Sequence, residues 1–232
     1  MTLIAFDTAT EVFSIGLAVK NTGQRYYLEI AGNQKHSELI MDAADTLLRM
    51  AGISKTELKG AACMEGPGSF TGLRIGFAAA RGLALALEIP VIPIPTLDCM
   101  AAPFSFWPGT VLPLIDAKKN AFFTALYRGG NRISNYLDTS MGELVKTIAA
   151  NTPASSPSLL LTGPAVSLGL SDLAAAFPES ASICTRERGY AAELLNLAIE
   201  KGIVDKGEES SGPLYLRKSD AELKGNMDNQ HG

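Results

Sequence analysis

With 232 residues, 47% of them apolar and 19% charged, the chain has material for one large domain or two small ones around a sizeable core. A net charge of −4 without any Lys/Arg cluster excludes a protein that grips nucleic acid through a basic surface of its own. Three cysteines, Cys63, Cys99 and Cys184, lie far apart with no Cys-x-x-Cys pair, which excludes a disulfide framework and predicts reduced, mostly buried thiols.

The chain opens on an apolar strand, Leu3–Asp7, that ends in an acid. No basic segment precedes it, so no signal peptide is expected and the protein is read as cytoplasmic. A second strand over 12–19 follows. Asn21-Thr22-Gly23 turns the chain into a third over 24–30. The repeat of Leu39, Ile40, Ala43, Ala44, Leu47 and Leu48 at threes and fours predicts a helix over 36–51, closed by Gly52. Met41 and Met50 lie off the centre of that stripe, where soft side chains suit an adaptable partner surface.

A buried strand over 60–64 then runs into Gly66-Pro67-Gly68-Ser69-Phe70-Thr71-Gly72, followed by an Ala- and Leu-rich helix over 71–87. Three glycines and a proline in seven residues forbid regular structure, so a tight loop joins strand to helix. Such a loop can cradle an anion on backbone amides, or it can let a helix pack closely. It is neither a P-loop nor a dinucleotide fingerprint, because it lacks the Gly-Lys-Ser/Thr ending and the required glycine spacing. Ser69 or Thr71 is read as a helix cap; as a nucleophile, either would need a base within reach. In the helix, Gly72, Gly76, Ala80 and Ala84 form one row of small residues. Leu73, Phe77 and Leu87 form another, with Ile75 and Leu83 between. A helix apolar on nearly all sides must be covered all round. The small row is expected to receive a second subunit. Arg74, Arg81, Glu88 and Pro90 argue against a membrane span over 72–94.

A Pro-rich segment over 93–113 marks a boundary. Beyond it the pattern repeats when Asp7 is laid over Asp116: strands over 112–116, 121–128 and 132–137, a helix over 141–150, a strand over 159–162 and a helix over 165–177. Gly129-Gly130-Asn131 supplies the matching hairpin turn. A helix over 190–202 and an exposed tail follow. The fold class is therefore α/β, with duplicated βββαβα lobes over 1–104 and 105–232. This is the layout of the actin/sugar-kinase/Hsp70-like (ASKHA) superfamily, in which two such lobes face each other across a cleft.

Asp7 and Asp116 are candidates for a nucleotide cleft, able to hold Mg through waters. The plainer reading makes them acceptors of their own turn amides. Neither following turn, 8–11 or 117–120, contains the glycine of a phosphate-gripping hairpin.

Leu3-Ile4-Ala5-Phe6-Asp7-Thr8-Ala9-Thr10, His36-Ser37-Glu38-Leu39, the run from Gly66 to Gly76, Ile115-Asp116-Ala117 and Pro213-Leu214-Tyr215-Leu216-Arg217 together resemble the bacterial TsaB (YeaZ) family across nearly the whole chain. The resemblance implies a non-catalytic scaffold in making threonylcarbamoyladenosine at position 37 of ANN-decoding tRNAs. It implies a TsaD-like catalytic partner, a TsaE-like ATPase and tRNA reached through that complex. The catalytic relatives hold a metal on two histidines four apart; here Ile40 stands four after His36, and the other histidine is His231. No intrinsic metal or cofactor is expected, with Mg-ATP acting only at the level of the complex. The expected partner face comprises Leu39, Ile40, Ala43, Leu47, Gly72, Arg74, Ile75, Gly76, Ala79, Ala80 and Leu83, and it is expected to form a homodimer when the chain is alone. The alternative is a Mg-ATP enzyme of the same superfamily built on Asp7 and Asp116.

Overall fold

The computed structural model describes residues 1–32, 36–152, 158–178, 181–184, 188–202, 212–214 and 216, with the side chains of 36 and 181–184 left aside. The expectations for His36 as a ligand, Cys184, Tyr215, Arg217, His231 and most of the polar stretch 206–212 lie outside that set.

Strands β1 (Leu3–Asp7), β2 (Phe13–Ala18), β3 (Arg25–Ile30), β4 (Gly60–Gly66) and β5 (Val91–Pro95) form one sheet in the order β3-β2-β1-β4-β5. Central β1 is buried on both faces and reads as an unbroken apolar run, as a strand paired in parallel with β4 should. Edge strand β3 instead alternates exposed and half-buried residues. The strand β5 was not anticipated, because Pro93 and Pro95 disguise it; prolines are tolerated on an edge strand, where one side has no ladder to complete.

Helices α1 (His36–Ala51) and α2 (Phe70–Leu87) cover one face of this sheet. Helix α1 has Glu38 in its first turn and Arg49 in its last, each favoured by the helix dipole. Helix α2 is capped by Ser69, whose Oγ accepts from Gly72 N at 3.2 Å.

Strands β6 (Thr110–Asp116), β7 (Ala121–Thr124), β8 (Tyr127–Arg128), β9 (Asn131–Arg132), β10 (Leu137–Ser140), β11 (Leu159–Thr162) and β12 (Ala181–Cys184) form the second sheet. Its main path, β10-β7-β6-β11-β12, repeats the order of the first. The third strand differs from the expected 132–137. The second strand is broken at Ala125-Leu126, where Leu126 N donates to Ser134 Oγ at 2.9 Å, and resumes on β6 as β8. A hairpin, β8–β9, is thereby inserted around Gly129 and Gly130, both at positive φ. Helices α4 (Met141–Asn151) and α5 (Val166–Ala176) cover the outer face. The first lobe is thus βββαβαβ, and the main path of the second repeats it with the β8–β9 hairpin added, the duplicated actin-like α/β architecture; each main path has one more strand than expected.

Between the two sheets lie α3 (Thr96–Ala101) and α6 (Ala191–Lys201). Leu3, Met64, Ile94, Leu97, Met100, Val111, Ile115, Leu160, Leu194 and Ala198 share one apolar cluster there. Helix α6 follows the second copy in sequence but lies on the first sheet. Much of the space between the lobes is therefore filled by side chains.

Candidate functional site

The Gly-rich loop is a packing joint. A Cβ at Gly72 would fall 1.9 Å from the carbonyl oxygen of Thr8, and one at Gly76 2.5 Å from Thr8 Oγ1. Only glycine permits that approach. Thr8 Oγ1 donates to Gly72 O at 2.7 Å, and Ser69 N donates to Ala9 O at 2.8 Å. The turn after β1 thus occupies the ground beside the loop and the first turn of α2. On the other side, Leu214 N donates to Glu65 O at 2.7 Å.

Asp7 has no exposed surface. Its Oδ2 accepts from Ser14 Oγ at 2.9 Å and from Tyr190 N at 2.7 Å, and its Oδ1 faces Ala9 N at 3.2 Å. Ser14 Oγ in turn accepts from Ala191 N at 3.1 Å. The acid and the serine cap α6 across the fold, supplying acceptors that its own N-terminal residue does not. Glu29 adds a third acceptor, taking Gly189 N at 2.9 Å.

Asp116 is half-exposed. It accepts from Lys118 N at 2.7 Å and pairs with Lys118 Nζ at 2.6 Å. That hydrogen bond holds its carboxyl below the ordinary value and raises the lysine. The turn is made by Lys118, Lys119 and Asn120, all at positive φ.

The expectation that Asp7 and Asp116 look into one cleft is corrected by the pleat. Laying one over the other puts Leu3 on Leu112 and Ala5 on Leu114. Leu3 and Ala5 face the central cluster, whereas Leu112 and Leu114 face the outer one under α4 and α5. A one-residue slip in a strand exchanges its faces. The two carboxylates do not form a matched pair around a magnesium-bound nucleotide, because one is sealed and the other stands on a differently facing position.

The expected partner residues divide in three. Ile40, Ala43, Leu47 and Ala80 belong to the core of the first lobe, and Gly72 and Gly76 are buried against β1 and its turn. This corrects the expectation that the small row of α2 receives a second subunit: it receives Thr8. Leu39, Ile75, Ala79 and Leu83 are half-buried, and Arg74 is exposed. The outer side of α2 adds residues that the small-residue argument passed over: Ala78, Gly82, Leu85 and Ala86 are exposed, Leu85 to 85%. Only 28% of this long apolar helix is buried. On α1, Met41 and Met50 are exposed, the latter to 63%, on opposite flanks of its core stripe. Arg74 lies over the Phe70 ring at 3.8 Å.

A second polar constellation gave no signal in the sequence, because it converges from distant elements. Asp98 on α3 accepts from Tyr127 OH and Tyr136 OH. Glu65, at the end of β4, has its carboxyl raised by burial and by the Asp98 charge, against the opposing pull of Lys201. Cys63 and Cys99 are fully buried, and burial pushes both thiols up, away from reactivity. Among the described residues no group of three or more His, Cys, Asp or Glu could hold a metal ion.

These features define a duplicated actin-like α/β protein with a sealed first strand end and an uncovered helical face. The sequence family described as "TsaD: tRNA N6-adenosine threonylcarbamoyltransferase" matches residues 29–223. The "tRNA threonylcarbamoyladenosine biosynthesis protein TsaB" of Haemophilus influenzae is 35% identical over 131 residues, 55% of each chain. That of Escherichia coli is 37% identical over 130 residues, again 55% of each. The chain spans about half the length of the curated relatives it matches. YeaZ from Pseudomonas aeruginosa shares the fold, with a TM-score of 0.72 at 24% identity over 93% of this chain and 99% of that one. The chain belongs to the TsaD family, on its TsaB (YeaZ) branch.

Proposed function

We propose that this chain is a non-catalytic scaffold and activating subunit in forming N6-threonylcarbamoyladenosine at position 37 of ANN-decoding tRNAs. It pairs with a TsaD-like catalytic subunit, is joined by a TsaE-like ATPase, and meets tRNA through that cytoplasmic complex. It brings no cofactor of its own; Mg-ATP acts at the level of the complex. Alone, it pairs with a second copy through the same face.

The outer side of α2 carries this reading. The helix buries Gly72 and Gly76 against Thr8 and leaves Phe70, Ala78, Leu85 and Ala86 exposed. Exposed apolar side chains along one side of a long helix suit a protein contact. Arg74 and Arg81, exposed on the same side, suit an interface, as do the soft methionines of α1. The names of its relatives supply the pathway.

The test is to mix the purified chain with its TsaD-like counterpart and measure particle mass by light scattering. A one-to-one complex is expected. Leu85→Asp and Met50→Asp, both on exposed positions, should keep the parent circular dichroism yet weaken the complex by about tenfold or more. Native affinity in both variants would remove this face from the contact. Strong calorimetric binding of Mg-ATP to the isolated chain, lost in a folded Asp7→Asn variant, would favour the enzyme alternative instead.

A further inference from the structure

We propose that Asp98, Tyr127 and Tyr136 form a latch that fixes the angle between the two lobes. Helix α3 is part of the chain crossing from β5 of the first sheet to β6 of the second. Thr96, Leu97, Cys99, Met100 and Ala101 are buried in the layer between the sheets, whereas Asp98 is half-buried at its margin. Its Oδ1 accepts from Tyr127 OH at 2.5 Å and from Tyr136 OH at 2.9 Å. Tyr127 begins the β8–β9 hairpin and Tyr136 stands just before β10, so one carboxylate oxygen gathers both ends of the segment that separates β7 from β10.

The surrounding layer is apolar. Burial of such surface is non-directional and favours closeness without selecting an angle. Hydrogen bonds to a carboxylate are directional and short, and these two do select one. Burial, and then the charge of Asp98, push both phenols above their ordinary value of 10.0, which keeps them protonated and donating. Arg132 lies 4.1 Å over the Tyr136 ring and donates to Ser134 O at 2.7 Å, holding that ring in place.

The experiment is a distance measurement between lobes by pulsed electron resonance. Spin labels go on Lys59→Cys in the first lobe and Lys146→Cys in the second, both exposed, in a Cys184→Ser background; Cys63 and Cys99 are fully buried. The parent should give one narrow distance distribution. In Tyr127→Phe/Tyr136→Phe the distribution should at least double in width or gain a second maximum. Ile148→Val, a core change in α4 remote from the latch, should leave the width unchanged. An unchanged width in the folded double variant overturns the proposal, as does equal broadening by Ile148→Val. Should the double variant not fold, Tyr136→Phe alone decides: this half-buried ring loses one donor, the distribution should broaden less but measurably, and the parent width would refute the latch.

Discussion

The first strand of each lobe ends in an aspartate, and the two ends live in different media. Around Asp7 everything is dry. The carboxylate is sealed, Ser14 bridges it to the first amides of α6, and Gly72 and Gly76 press the next residue, Thr8, against α2. Around Asp116 everything is wet: one lysine folds back onto an exposed turn of left-handed residues. An acid sealed among fixed donors is a structural joint, since losing it strands every donor. An acid with one solvated partner contributes little to stability. The duplicated fold thus spends its first strand end on holding α6 between the lobes and leaves the second at the surface.

The largest effect is expected where the dry end is tightest. Gly72→Ala must place a methyl 1.9 Å from a backbone oxygen that no rotamer change can remove. Destabilisation by ~3 kcal/mol or more is expected, at or beyond the upper end of ordinary overpacking. Gly82, in the same helix, has nothing within 4 Å of its Cβ position. Gly82→Ala should therefore stabilise, by up to ~1 kcal/mol through helix propensity. Denaturant unfolding of the two variants separates close packing from backbone entropy. If Gly72→Ala matched Gly82→Ala, Thr8 would not be where α2 docks.

Next comes the acid itself. Asp7→Ala leaves Ser14 Oγ and the amides of Ala9 and Tyr190 short of an acceptor inside the protein. A loss of ~3 kcal/mol is expected from stranded buried donors. Hydrogen exchange should show the loss concentrated in α6, with α4 and α5 protected as before. Uniform loss over both lobes would mean that Asp7 is not the anchor of that helix.

Much of this was legible in the sequence, and the illegible part has a pattern. The bounds of α1 and α2 and the start of β4 follow from apolar period and glycine punctuation, while β4 itself runs on to Gly66, two residues past the expected end. The strand β5 hides behind Pro93 and Pro95, and the third strand of the second lobe hides behind an inserted hairpin. The direction of the small-residue row could not be read, since Gly72 and Gly76 answer to Thr8, which arrives from another strand. The capping of α6 by Asp7 and Ser14 joins residues more than half the chain apart. Local pattern gives the elements; it does not say which side of an element meets which distant neighbour.

The smallest effect belongs to the wet end and sharpens the comparison most directly. Asp116 has its carboxyl lowered chiefly by the Lys118 hydrogen bond. A lowered folded-state value contributes stability above the ordinary value of 3.8, and that contribution is lost as pH falls through the folded value. Because the pair is solvated, the change in melting temperature should fall within error at neutral pH. The titration itself remains visible. Carbon-detected NMR of the Asp116 carboxyl should show a midpoint below 3.8, and Lys118→Ala should return it toward that value while leaving the fold's melting unchanged. If instead Lys118→Ala destabilised the protein as Asp7→Ala is expected to do, the second strand end would be a joint as well, and the two halves would be equivalent in mechanics as they are in topology.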